Sequence, residues 1–420
     1  MSVALLIATA LFLPKNELQI GFSRVDLIPP KPFSLGGYTA RGSKPADDGG
    51  WPLYARIVRI KSFEITVVIV ACDLLTIPES LVREVKKRVP SDIHLFLSAT
   101  HTHSAPDSQM LNDRMTFAIP GIAKFDPKQL SWYAKTISSA INLSLRQKAF
   151  MGTSIHVDFA QVDANRGRRL NAVPDQLAAT IWAGSNSGSV ILRMDLWFWY
   201  TAHATIVGSD SNVTSQDWPG GVSQHFGTDA ILVGAIGDVS PKADGSNSMV
   251  KLASFWQRFS EKFGSPRFLS SSHSVEYRYP SLGWVTEKIN LPPVSPNPEF
   301  AKLNKVPIPL ANSVITRFAP TEAEISAFRI GKVCVVGVPG EPTSALGRRI
   351  RDYGKGLGFD FVLTTSHVNG WIGYILEADD YARGGYEASL AFHGPQTAQR
   401  VFEASARAIR RLAFPNRSRQ

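Results

Sequence analysis

The chain of 420 residues has only two cysteines. Cys72 closes the apolar run 67–71 and Cys334 lies within the apolar run 333–338, so both read as buried core thiols. A disulfide framework is thereby excluded as the device that holds the fold. No stretch reaches the roughly 18 consecutive apolar residues that a spanning helix needs. The one long apolar segment, 3–13, ends at Pro14-Lys15 and fits the core of a signal peptide spanning 1–14. It lacks the usual basic n-region, so a buried strand fits it as well. Secretion or a periplasmic location is the expectation, and a cytoplasmic one stays open. Internal repeats, low-complexity tracts and long runs of one charge are also missing. The net charge of +10 is spread along the chain, densest at Lys86-Lys87-Arg88 and Arg166 to Arg169. With no recognition helix, zinc-finger spacing or RNA-binding signature, nucleic acid is not an expected partner.

What remains is an ordinary folded composition, 44% hydrophobic and 19% charged. The length allows two or three domains, or one large α/β unit. Strands are expected at 19–26, 53–60, 65–72 and 93–97, with a helix over 78–89 between the last two. That strand, helix, strand order implies a partly parallel sheet. Gly36-Gly37 before Tyr38 reads as a turn that lets backbone approach another group closely. Further on, helices are expected at 130–145, 249–263, 343–353 and 396–412. Strands are expected at 155–162, 190–206, 230–236 and 361–365, and a pair around Gly331-Lys332 within 325–338. The proline-rich stretch 291–309 reads as an extended connector or covering loop. The expected fold class is α/β, with mixed, partly parallel sheets packed by helices and the chemistry at strand ends.

Several metal-competent side chains sit at such ends. After the strand 93–97 comes Thr100-His101-Thr102-His103-Ser104. If the extended conformation persists through Thr102, both imidazoles project to one face. One could then bind a metal while the other acts on metal-bound water; a pair of solvated loop histidines is the alternative. His203 follows the aromatic strand, where a satisfied core histidine is the alternative. Glu341 stands between a strand and a helix, where a helix cap would explain it equally. Asn369 to Tyr374 forms a glycine-bearing turn, followed by Tyr386-Glu387-Ala388-Ser389. Spacing alone does not select a tyrosine as a ligand.

Taken in order, these stretches resemble the catalytic region of the neutral ceramidase family of zinc-dependent amidases. The resemblance runs through Gly21 to Asp26, Gly36-Gly37-Tyr38, Thr100 to Ser104, Asn165-Arg166, Ala202-His203 and Asp217-Trp218-Pro219-Gly220. It continues through Gly237-Asp238-Val239-Ser240-Pro241, Pro339-Gly340-Glu341, Arg348-Arg349 and Tyr386 to Ser389, as far as Gly394-Pro395. Each motif is short; their collinearity over nearly the whole chain makes the match specific. The resemblance implies zinc held by His101, His203, Glu341 and Tyr374, with His103, Arg166 and Tyr386 lining the reacting centre. Zinc would activate water and polarise an amide carbonyl, Arg166 or Tyr386 would stabilise the oxyanion, and His103 would carry a proton to the leaving amine.

The implied reaction is hydrolysis of ceramide or a ceramide-like lipid to a fatty acid and a sphingoid base by a catalytic domain at 15–414. The family's C-terminal immunoglobulin-like domain is expected to be absent, because the sequence stops soon after Gly394-Pro395 and its following helix. Ala105 to Ser108 replace a glycine-rich continuation, and Gly167-Arg168-Arg169 stand where the family has Ser-Pro, so the rim differs. Met110, Met115, Phe117, Trp197 and Trp371 could wall an apolar channel, or simply fill the core. A zinc amidase or esterase acting on another N-acyl substrate, and a non-catalytic lipid-binding protein, are the alternative readings. A lipid or N-acyl substrate is the expected partner, with peripheral membrane contact as a further expectation.

Overall fold

Strands buried on both faces set the architecture of the protein, seen in a computed structural model that describes residues 17–170, 172–187, 190–228, 230–263 and 273–415. The segment 1–14, read as a signal peptide, lies outside the described residues. Strands β1 (Leu18–Asp26), β2 (Tyr54–Ser62), β3 (Ile65–Cys72), β4 (Ile93–Ala99) and β5 (Phe150–Gly152) form a sheet in the order β4-β3-β2-β1-β5. Helix α1 (Glu79–Lys86) makes the crossover between β3 and β4, its one parallel pair, and α2 (Pro127–Arg146) follows. Along β3, Val67, Ile69 and Ala71 face a central core, while Val68, Val70 and Cys72 face α1 and α2. This two-sided burial is why the sequence there is continuously apolar rather than alternating.

The chain continues through β6 (Ser154–Gln161), β7 (Asn165–Gly167), β8 (Leu177–Ser187), β9 (Val190–Tyr200), α3 (Trp218–Phe226), β10 (Ala230–Val233), β11 (Val239–Pro241), α4 (Ser248–Phe263) and β12 (Ser274–Arg278). A second sheet takes the order β10-β9-β8-β6-β12, with β9 and β10 parallel, and β7 pairs with β11. Its outer face carries Phe198, Tyr200 and Val233 against Trp218 of α3 and Phe255 and Phe259 of α4.

Then come β13 (Leu282–Ile289), α5 (Pro298–Asn304), α6 (Ile308–Phe318), β14 (Ala323–Ile330), β15 (Val333–Gly337), β16 (Glu341–Pro342), α7 (Ser344–Gly356), β17 (Phe361–Thr365), β18 (Tyr374–Ile375), α8 (Ala378–Ala382), α9 (Tyr386–Ser389) and α10 (Thr397–Ala413). The third sheet, β13-β14-β15-β17, has β15 and β17 parallel and is backed by α7 and α10. Inner faces of all three sheets meet in one core, where Phe96, Trp197 and Phe328 pack together.

The mixed α/β class is as the sequence implies. Both cysteines are free and buried, in different layers. Three expectations need correction, the first being the strand 230–236, which stops at Val233. The strand 190–206 stops at Tyr200. The stretch 291–309 is not simply a connector, because it contains α5 and the start of α6. Its prolines begin these helices: Pro298 follows the N-cap Asn297, whose side chain accepts from the Glu299 amide at 3.0 Å, and Pro309 lies in the first turn of α6. Proline is at home there, since the first-turn amides have no intrahelical partner.

Each sheet thus has one parallel pair, and the chain leaves these strands toward a common place. Thr102 bridges Ala204 and Ser98 bridges Val368, which ties the three strand ends together. Asn369 completes the stitch by accepting from the Leu97 amide at 3.0 Å and donating to Leu95 O at 2.7 Å.

Candidate metal centre

Four of the strand exits deliver a donor to one spot. β4 leads to His101, β9 to His203, β15 to Glu341 and β17 to His367. The parallel pairing of β16 with β18 sets Tyr374 beside Glu341. Their side chains are buried, and the donor atoms converge. His203 Nε2 lies 3.2 Å from Glu341 Oε2 and 3.4 Å from Tyr374 Oη, and His101 Nε2 lies 3.6 Å from Glu341 Oε2.

Protonation makes this convergence informative. The Nδ1 atoms of His101 and His203 lie 2.7 Å from Leu75 O and 2.9 Å from Val239 O. A carbonyl only accepts, so each Nδ1 carries the proton and each neutral ring turns its Nε2 lone pair inward. Burial keeps both imidazoles neutral, lowering His203 to about 3 against the opposing pull of Glu341. Burial opposes charge on Glu341, and protonation of the surrounding His101, His203 and His367 acts the other way, drawing the carboxyl well below the usual range. Trp371 Nε1 donates to Glu341 Oε1 at 3.1 Å, while Oε2 accepts no hydrogen bond from a described residue. The two Nε2 atoms and Oε2 therefore converge as a set of electron-pair donors that a bound cation would satisfy. Four ligand atoms at about 2.1 Å from a tetrahedral centre lie roughly 3.4 Å apart. The measured separations of 3.2 to 3.6 Å fit that figure.

His103 stands next to the set, its Nε2 3.2 Å from His101 Nε2 and the two rings edge to face at 89°. The route to this meeting is not the extended one expected from the sequence. β4 ends at Ala99, and His101 has a left-handed backbone at φ 61°. Burial and the neighbouring His101 and His203 hold His103 well below its ordinary pKa, so it is neutral. Tyr38 packs its ring 4.8 Å from His103, and Arg41 donates to the His103 carbonyl. The glycine turn at 36–37 has its reason here. Gly37 has φ 89°, and a Cβ on it would sit 2.4 Å from the His103 ring. Gly237 is constrained likewise, since a Cβ there would come within 2.5 Å of Glu341 O.

The arginine facing the centre is Arg168, two residues beyond the one singled out in the sequence. Arg166 is exposed on β7. Past β7 the chain bends, and the Arg168 guanidinium donates to Gly237 O at 2.6 Å, pairs with Glu387 at 3.3 Å and lies 6.0 Å from the centre of the Tyr374 ring. Arg169 holds Glu387 at 3.0 Å and Gly384 O at 3.0 Å, fixing the turn that launches Tyr386. Tyr386 is half-exposed, its ring 6.0 Å from that of Tyr374. Burial and the Glu341 carboxylate push the Tyr374 phenol well above its ordinary value, with Arg168 acting against them.

His367 is a site residue that the sequence reading passed over. It is fully buried, left-handed at φ 55°, and stacked on His101 with ring centres 4.2 Å apart and planes at 16°. Donor atoms of His101, Glu341 and His367 lie within 4.8 Å of one another. Neither ring nitrogen of His367 has a hydrogen-bond partner among the described residues. A signal was present: His367 follows the strand 361–365 just as His203 follows its own strand.

Of the five apolar residues considered as channel walls, Met115, Phe117 and Trp371 share a cluster on the Trp371 side of the centre, whereas Met110 and Trp197 belong to the core. Two grooves, of about 740 and 850 Å³, lie elsewhere and contain none of the donors.

No protein-family model matches the chain. Over 114 residues it is 31% identical to neutral ceramidase of Pseudomonas aeruginosa, a match covering 26% of this chain and only 16% of that protein. The crystal structure of neutral ceramidase from Pseudomonas aeruginosa superposes with a TM-score of 0.77 at 18% identity, covering 95% of this chain and 75% of that one. The chain has the fold of a neutral ceramidase. A second solved structure, a ceramidase complexed with C2, gives a TM-score of 0.77 at 17% identity, with 96% and 76% coverage. The resemblance carried by the sequence motifs is therefore borne out across nearly the whole chain at the level of fold.

Proposed function

We propose that the protein is a zinc-dependent amidohydrolase that cleaves the N-acyl bond of ceramide or a ceramide-like lipid to a fatty acid and a sphingoid base. The observation that carries this reading is the inward-facing set of His101 Nε2, His203 Nε2 and Glu341 Oε2, with Tyr374 Oη beside it and tautomers fixed by Leu75 and Val239. A bound zinc would acidify water and polarise a carbonyl. His101, His203, Glu341 and Tyr374 would hold it.

The surrounding residues supply the rest. His103 is neutral and beside the donors, so it can accept the proton given up by the attacking water and pass it to the leaving amine. Arg168 brings a fixed positive charge against Tyr374, and Tyr386 a phenolic donor, where the carbonyl oxygen gains negative charge. In this reading Arg168 takes the role the sequence resemblance gave to Arg166. The ion pairs from Arg168 and Arg169 to Glu387 orient Tyr386.

Metal analysis of the purified protein, with hydrolysis of a labelled ceramide before and after chelation, tests the reading. About one zinc per chain and chelator-sensitive release of fatty acid are expected. Metal-bound protein that leaves ceramide intact but hydrolyses short N-acyl amines would move the substrate to another N-acyl class. Protein without metal that binds lipid would make it a binding protein. An exported protein suits such a substrate, and N-terminal sequencing of the secreted chain would locate cleavage after 1–14.

A further inference from the structure

The apolar residues of the metal centre do not end at its wall. Trp371, which donates to Glu341, packs on Phe392 with ring centres 5.5 Å apart, and Phe392 packs on Phe318 of α6 at 5.1 Å. Phe300 of α5 joins the same cluster. This track reaches the surface at α5 and α6, where apolar side chains are left in water. Leu303, Ile308 and Leu310 are 51%, 51% and 53% exposed. α5 also borders the half-exposed Tyr386, because Glu299 lies 3.1 Å from where a Cβ on Gly384 would be, one residue before the N-cap of α9. Leu170, 96% exposed, extends the same rim beyond Arg169, which bonds Gly384.

Lys302 is paired with Glu299 at 3.2 Å, which leaves the exposed Lys305 and Arg317 as the net charge of this patch. From 300 to 321 the sequence holds Lys302, Lys305 and Arg317 and no carboxylate. Leucine and isoleucine interleaved with lysine, stiffened by Pro307 and Pro309, suit a membrane interface. There the apolar tips enter the acyl boundary while the amines meet phosphate. Among the described residues no helix is long and apolar enough to cross a membrane.

We propose that the 302–310 segment is a docking wedge for an anionic lipid bilayer, seating the mouth of the metal centre on the membrane. This rests on the lipid-hydrolase reading for its purpose, but its test does not need hydrolysis. The full-length protein is sedimented with vesicles of phosphatidylcholine, with or without a minority of phosphatidylglycerol. Binding to the anionic vesicles that weakens as salt is raised is expected, and binding to neither overturns the proposal.

The double variant I308D/L310D should lower vesicle partition by about ten-fold or more, since two side chains would no longer enter the apolar layer. The control I191D/L192D alters residues 52% and 49% exposed at the opposite end of β9 and should leave partition unchanged. Equal loss in both pairs, or loss in neither, overturns the proposal. A dimer of the parent protein that I308D/L310D dissociates, without effect on vesicle binding, assigns the patch to a second copy and overturns it too. Hydrolysis of a water-soluble short-chain N-acyl amide should be the same in I308D/L310D as in the parent. Vesicle binding by a protein that hydrolyses no N-acyl amide would sink the enzymatic reading and leave the wedge standing.

Discussion

The candidate metal centre and the α5–α6 segment lie at two ends of one aromatic track and are built on opposite terms. At the centre the donors are buried, and three are fixed from behind: Leu75 and Val239 hold His101 and His203, and Trp371 holds Glu341. At the rim Leu303, Ile308 and Leu310 have half their surface in water among the described residues. One region spends its polar groups on precise orientation, the other leaves apolar groups free for a deformable partner. Damage at the first should therefore be chemical and severe, and damage at the second confined to where the protein goes.

The largest effect is expected at the ligands. Glu341→Gln or His203→Ala should take bound zinc from about one per chain to near zero by metal analysis, and with it all hydrolysis. Full retention of metal in both would break the comparison. Next, His103→Ala should keep its metal and lose about 10²–10⁴-fold in kcat; a variant as active as the parent removes His103 from proton transfer. Arg168→Ala should lower kcat/KM by roughly 10²-fold, while the exposed Arg166→Ala stays within about two-fold, so measuring both decides which arginine serves the site. Trp371→Phe removes one hydrogen bond to Glu341, and metal titration should find affinity weakened about 10–100-fold in a protein that still folds. Smallest of all, I308D/L310D should shift unfolding free energy by no more than about 0.5 kcal/mol in urea titrations, because nothing in the fold rests on those tips.

Much of this arrangement was legible in the sequence, for reasons visible in particular residues. His101, His203 and Glu341 each follow an apolar strand, and buried strands announce themselves as β3 and β4 do. Tyr374 came only from family resemblance, since nothing local marks a phenol as a donor. His367 obeys the same strand-end rule as His203 but stood outside the motifs used. Arg166 and Arg168 differ by a bend after β7, and a run of arginines does not say which member turns inward. The prolines near 300 read as connector because their count drew more attention than their place: they open helices here.

The left-handed backbone at His101, His367 and Asn369, with φ of 61°, 55° and 54°, has an evolutionary consequence. Such a conformation costs a residue with a Cβ about 1–2 kcal/mol, and glycine essentially nothing. Selection for thermal stability alone would favour glycine at His101 and His367, erasing two imidazoles from the centre, whereas the buried hydrogen bonds of Asn369 to Leu95, Leu97 and Ser326 offset its cost. Persistence of the two histidines in a lineage would report selection on chemistry, and their drift to glycine would date its loss.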